Sequence, residues 1–452
     1  MVTKINHTIM AEELICSDYT QIVESYGIGF STNDYYLIAD GVPETTDWLI
    51  ELSIVLPQIE ELLKVVLPMA KSLGVPFSMA KNDESAVHIL YGNMGYQNLN
   101  KVITFYPSGK EQTIQFSQKL VAVTAGFNGP KIPTAAPLGS IVYTEYIGSV
   151  PFEKSMWPFP IKMPVPKSEF KKIFSGKYMI VDVLKQDIKG DVFKGIYIKG
   201  FLKVGKCVIK QGRQYMWTDF GNRDMSHRLQ WQKKVQEDLY DSLNIPKVID
   251  LFTTDGNNYL VMEFIEGQHL EKVLTETYKK DKLWKDLSME QRNKLLNALI
   301  QIIESIEVLH KKGYVHRDIK PANFILDNKG RLFLIDLEIT YHKPTDYPNP
   351  AFGDGTLGFM SPEQLERITP TEHEDIYGFG GLMVYFFTGQ PPADFDYKHL
   401  DKLKKELSRH IENQQIRNII MECYQVELGQ RPSLQKIKSV VQNFQKAMLN
   451  TR

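Results

Sequence analysis

Cysteine is nearly absent from this 452-residue chain: Cys16, Cys207 and Cys423 stand far apart and form no CxxC pair. That spacing argues against a disulfide framework or a cysteine-built metal site, and it reads as reduced thiols in the cytoplasm. No apolar run reaches the roughly 18 residues a membrane span needs. The first residues, with Glu12, Glu13 and Asp18, lack a basic segment followed by an apolar one, so no signal peptide is read. Net charge is lacking too: 53 Lys and Arg against 54 Asp and Glu leave −1, which gives no bulk attraction to nucleic acid or anionic lipid. Internal repeats and low-complexity tracts are also missing. What remains is an ordinary globular composition, 43% hydrophobic and 24% charged, with length for two or more domains.

Residues 1–150 read as a mixed α/β unit. Tyr35–Ile38, Trp48–Ser53 and Lys101–Pro107 have the look of strands. Pro57–Leu73 carries Ile59, Leu62, Leu63, Val66, Leu67 and Ala70 at helical spacing, closed by Gly74. Gln112–Ala125 reads as a second helix. Residues 151–176 hold Pro151, Pro158, Pro160, Pro164 and Pro166 among Trp157 and Phe159. So many prolines exclude helix or central strand and predict a semi-rigid linker whose aromatics pack on a domain.

The richest stretch is Tyr314-Val-His-Arg-Asp-Ile-Lys-Pro-Ala-Asn-Phe-Ile-Leu326. Phosphoryl transfer from ATP needs a carboxylate to orient the attacking hydroxyl, a cation beside the moving phosphate and an oxygen ligand for magnesium. Asp318, Lys320 and Asn323 offer all three on one loop. Around it lie Lys210 at the end of the strand Gly205–Gln211, Asp336 in Ile335-Asp-Leu-Glu338, and Met262 in the apolar run Tyr259–Gly267. This ordered set resembles the protein kinases over residues 177–447. The resemblance implies a two-lobed fold with ATP and Mg2+ as cofactors. Asp318 and Lys320 take the catalytic roles, and Asn323 and Asp336 hold the metal. Gly190, Val192, Lys210, Met262, Glu263 and Ile265 line the nucleotide, with Met262 as gatekeeper and the backbones of Glu263 and Ile265 on adenine. It also implies that Asp375 braces the catalytic loop, that Thr356 contacts Asp318, and that Glu363 pairs with Arg431.

Two departures stand out. The turn over the phosphates, Lys185–Val192, keeps only Gly190 of the usual glycines. The Asp-Phe-Gly triplet is Asp336-Leu337-Glu338, a form associated with the kinase domains of lanthipeptide synthetases, in which Glu338 is considered as an added metal oxygen. The helix expected over Ser226–Leu243 should supply a partner for Lys210, and the spacing leaves Gln236 and Glu237 both open.

The N-terminal third carries Gly74-Val-Pro-Phe77, Asn100–Pro107, Gly129-Pro-Lys-Ile-Pro133 and Ile141–Tyr146. These resemble the lyase domain of class III lanthipeptide synthetases, itself similar to phosphothreonine lyases, which eliminate phosphate with a lysine base and a histidine acid. The family's Lys-x-His positions are Leu49 and Glu51 here, and Lys101 is the surviving lyase remnant. The implied domain is a lyase fold that has lost elimination and serves binding. The sequence also stops at Arg452, before any cyclase.

The expectation is therefore α+β: a smaller α/β lyase-like domain (1–150), a linker (151–176) and a protein kinase domain (177–447). The function expected is ATP-dependent Ser/Thr phosphorylation of a peptide or protein, with a precursor peptide and a separate cyclase as further partners. A bifunctional kinase-lyase making dehydroamino acids and a non-catalytic nucleotide-binding scaffold are the two alternatives.

Overall fold

The computed structural model describes residues 17–43, 46–164, 173–198, 204–280, 282–353 and 355–450. Cys16, the first acidic residues and the stretch of linker with Pro166 lie outside them.

The N-terminal unit is a seven-stranded sheet in which every pairing is antiparallel. Its order is Phe30–Thr32, Tyr36–Ala39, Phe77–Ala80, Ile103–Phe105, Trp48–Leu52, Val142–Tyr146 and Ala136–Pro137. Side chains alternate across a strand. Trp48, Ile50 and Leu52 therefore face a core with Leu62, Leu63, Val66 and Leu67 of the helix Ile59–Leu73 and Phe116 and Leu120 of the helix Gly109–Val123. Glu51 points to the opposite face. The second helix starts three residues before the expected Gln112, because Gly109 and Lys110 already turn. The aromatics after residue 150 fold back: Phe152, Trp157 and Phe159 stand edge-on around Trp48, at centroid distances of 5.7, 5.8 and 5.4 Å.

The rest of the chain is the two-lobed kinase fold. Its small lobe is a six-stranded sheet ordered Val248–Thr254, Asn257–Glu263, Val204–Gly212, Val192–Ile198, Tyr178–Lys185 and Ile173–Phe174. Against it packs the helix Met225–Leu239, capped by Asp224. The large lobe is helical. Met289–Lys311 buries Leu295, Leu299, Ile302, Ile303, Ile306 and Leu309 along one stripe, the period that the sequence shows. Glu372–Thr388 is buried almost all round and forms the centre of the lobe. No helix among the described residues is long and apolar enough to cross a membrane.

Candidate active site

The catalytic loop is held from below. Arg317 has φ +70°, an uncommon backbone state for a residue with a side chain. Asp375 secures it, accepting the backbone N–H of His316 at 2.9 Å and of Arg317 at 2.7 Å. The Arg317 side chain turns inward, donating to Glu374 at 2.9 Å and to the carbonyl of Phe352 at 2.7 Å. The activation segment is thereby tied to the loop by a guanidinium and a buried carboxylate. Glu374 gave no signal in the sequence, since only the packing of its helix reveals its partner.

Above this floor, Asp318 sits among donors. Lys320 Nζ stands 2.7 Å from its carboxylate, the Asn323 amide donates to it at 2.8 Å and Thr356 Oγ1 at 3.0 Å. Lys320 also donates to Thr356 at 2.8 Å. Burial would raise the Asp318 carboxyl, but Lys320 and the Asn323 amide outweigh burial and hold it below the usual range. It is a carboxylate at neutral pH. Lower in the large lobe, Arg431 makes a two-pronged pair with Glu363, Nη2 donating at 3.0 Å, which anchors the end of the activation segment.

Lys210 lies on the strand Val204–Gly212 and meets three acceptors: Asp336 Oδ1 at 3.0 Å, Glu338 Oε2 at 2.5 Å and Gln232 Oε1 at 3.1 Å. This corrects the expected helix partner. Gln236 donates instead to the carbonyl of Pro246, and Glu237 is an exposed partner of Lys233. The helix ends at Leu239, not Leu243, so counting back from Leu243 lands one turn too far along. The residue facing the lysine is Gln232, fully buried. The charge that a helix glutamate would bring comes from Glu338. Its carboxylate binds both Lys210 and Lys189, the latter at 3.1 Å. Burial would raise the Glu338 carboxyl, yet Lys189 and Lys210 hold it well below its usual range. Lys189 is a further site residue that the sequence did not single out.

The remaining sequence-derived residues lie on or beside the small-lobe sheet. Val192 pairs with Lys210 across the hairpin, and Met262 is buried on the next strand, paired with Val208. Glu263 closes that strand and Ile265 follows it into the segment between lobes. Gly190 is where glycine is required: its φ is +152°, and a Cβ there would lie 1.8 Å from the carbonyl of Gln211.

In the N-terminal unit Lys101 is spent on two carboxylates, Glu51 at 2.9 Å and Glu145 at 2.5 Å. Glu51 is 1% exposed and its Oε2 has no hydrogen-bond partner. Burial, outweighing the Lys101 charge, pushes its carboxyl up to about 7. The folded state thus binds this proton more tightly than the unfolded chain does. The linked stability is present below the unfolded glutamate range and is lost as pH rises through about 7. Glu51→Gln should flatten the fall in melting temperature between about pH 5 and 8, removing on the order of 1–3 kcal/mol of pH-dependent stability. Glu374, also raised to about 7, leaves part of the slope in place. Thermal melts across that range check it; an unchanged slope would mean that Glu51 ionises normally.

The comparisons with known proteins agree with this geometry. The family described as Protein kinase domain matches residues 199–451, and the family described as RamC, N-terminal domain, which is related to lanthipeptide synthetases, matches residues 36–154. Similar curated proteins include Ribosomal protein S6 kinase alpha-2 of Homo sapiens, 26% identical over 230 residues (50% of this chain, 29% of that protein). Serine/threonine-protein kinase PrkC of Bacillus subtilis is 27% identical over 224 residues (49% and 32%). Serine/threonine-protein kinase B of Synechocystis is 29% identical over 202 residues (42% and 33%). The chain spans about a third of the length of these relatives. With its kinase match covering more than half of the sequence, the chain belongs to the protein kinase family, and a match to the RamC N-terminal domain lies ahead of the kinase match.

Proposed function

We propose that this kinase transfers phosphate from ATP to Ser or Thr of a peptide or protein, and that its N-terminal domain binds substrate or partner without eliminating phosphate. The convergence of Asp318, Lys320, Asn323 and Thr356 on one side of the cleft with Lys210, Asp336 and Glu338 on the other carries the reading. Asp318, ionised and ringed by donors, orients the acceptor hydroxyl. Lys320 stands where charge moves during transfer, and Lys210 holds the α- and β-phosphates. Adenine would lie against Met262, Val192 and the backbone of Glu263 and Ile265, under Gly190.

The donor set fits magnesium. The Asn323 amide nitrogen is committed to Asp318, so its oxygen lies outside those contacts, as the second oxygen of Asp336 lies outside the contact with Lys210. Two hard oxygens, with phosphate and water completing the shell, are what Mg2+ takes in phosphotransferases. Bound there, it would neutralise phosphate charge.

In the N-terminal domain, Leu49 offers no base and Lys101 is neutralised by two carboxylates, which disfavours a phosphate dianion. A second reading, kinase and lyase in one chain, draws on Glu51: with its carboxyl near 7 it carries a proton in part of the population at neutral pH. Intact-mass spectrometry with ATP, magnesium and a Ser/Thr-rich peptide, beside an Asp336→Asn control, separates the readings. Stable phosphate on the peptide, absent in the control, is expected. Phosphate gained and then lost with the elements of water would favour the lyase, and no transfer would count against the kinase function.

A further inference from the structure

The phosphate loop of this protein is clamped where such loops in other kinases rely on glycine for freedom. Arg213 donates from its side chain to the carbonyl of Ile188 at 3.0 Å and to Asp191 at 3.0 Å, and its backbone N–H donates to the carbonyl of Lys189 at 3.0 Å. The loop tip also touches the N-terminal domain. Ile188 packs with Leu99, Met216 and Met225, and lies so close to Gly92 that a Cβ there would meet its Cδ1 at 2.6 Å.

One side chain of the loop points into the nucleotide site. Lys189 Nζ shares the Glu338 carboxylate with Lys210, the lysine that meets Asp336. The same ammonium stands 4.6 Å from the centroid of the Trp217 ring. Trp217, at φ +55° in the connection between the lysine strand and the helix, stacks on Tyr91 of the N-terminal domain, with centroids 4.7 Å apart and planes 5° from parallel. Cation, indole and phenol thus run from the phosphate site into the other domain.

We infer that Lys189 is a second nucleotide-phosphate ligand, supplying from a side chain the contact that a glycine-rich loop makes by close approach of its backbone, and that the N-terminal domain positions it through the Tyr91–Trp217 stack. The inference rests on the kinase reading of the cleft. A triphosphate entering beside Lys210 and Asp336 meets an ammonium already largely buried and aimed, whose carboxylate partner Glu338 is shared with Lys210. Charge-assisted contacts to phosphate oxygen are among the strong ones, and a cation held over an indole loses little freedom when it binds. Tyr91 and Trp217 touch no phosphate; they are positioning residues.

The test is direct titration of the full chain with Mg·ATP and with adenosine, which needs no phosphate transfer. Lys189→Ala should weaken Mg·ATP about tenfold and leave adenosine within about twofold. Tyr91→Ala should weaken Mg·ATP about threefold to fivefold, Tyr91→Phe should restore it because the ring is kept, and Tyr91→Ala should add nothing in a Lys189→Ala background. Unchanged Mg·ATP affinity in Lys189→Ala, an equal loss for adenosine, or additive effects of Tyr91 and Lys189 would each overturn the inference. A wild-type chain that binds Mg·ATP through Lys189 yet transfers no phosphate would sink the kinase reading alone; one that binds no nucleotide would sink both.

Discussion

Asp318→Asn should cut phosphate transfer by about 10²–10⁴-fold while Mg·ATP binds within about twofold of wild type. The amide keeps the shape and can still accept from Thr356, but it cannot take the proton of the acceptor hydroxyl. The structure supports a split of this kind because Asp318 and Lys210 hang on different frames. Asp318 is fixed by Lys320, Asn323 and Thr356, and its loop by Asp375, whereas Lys210 stands on the small-lobe strand Val204–Gly212 and meets Asp336, Glu338 and Gln232. Single-turnover transfer to a Ser/Thr peptide beside nucleotide titration measures both halves. Transfer persisting at the wild-type rate would remove Asp318 from its assigned role.

Glu338→Gln should cost about 10- to 100-fold in kcat/KM, and adding Gln232→Glu should recover at least a tenth of the wild-type value. A hydrogen bond to a charged group contributes about 1.5–3 kcal/mol, and each 1.36 kcal/mol is a factor of ten in rate. The wild-type arrangement places the negative charge on the segment after Asp336 and an uncharged amide on the helix, so moving the charge back to the helix rebuilds the pair in the other geometry. Gln232 already reaches Lys210 at 3.1 Å, which leaves little for the backbone to adjust. In the wild-type background Gln232→Glu alone brings a third carboxylate to Asp336 and Glu338 and should lower activity. The double variant behaving no better than Glu338→Gln would show that Glu338 acts through something other than holding Lys210. Thermal melts of each variant separate this from unfolding, because a buried lysine stripped of a partner also costs stability.

The same swap shows how far sequence reaches. The catalytic loop is legible because its working residues lie within six positions, from Asp318 to Asn323, and one short turn fixes their geometry. Gly190 is legible for a similar reason, since the hairpin that it closes leaves no room for a side chain. The helices Ile59–Leu73 and Met289–Lys311 follow from period, and other ends shift where caps decide: Gly109 begins one helix early, and Leu239 ends another early.

What the sequence by itself determined was the order of two domains, core faces of several helices and the loop on which Asp318, Lys320 and Asn323 meet. Only the tertiary structure decided which groups neutralise one another. Lys210 could take a partner from Gln236, Glu237, Gln232 or Glu338, and the choice depended on where the helix ended and how the segment after Asp336 crossed the cleft. Lys101 is bound to Glu51 and Glu145 because the chain ahead of the strand Ile103–Phe105 meets two neighbouring strands there, and Arg317 found Glu374 through the packing of a helix 57 residues away in sequence. Periodicity records which face of an element is apolar, whereas a charge is satisfied by whatever opposite charge lies within a few ångströms, and that distance is a property of the folded chain.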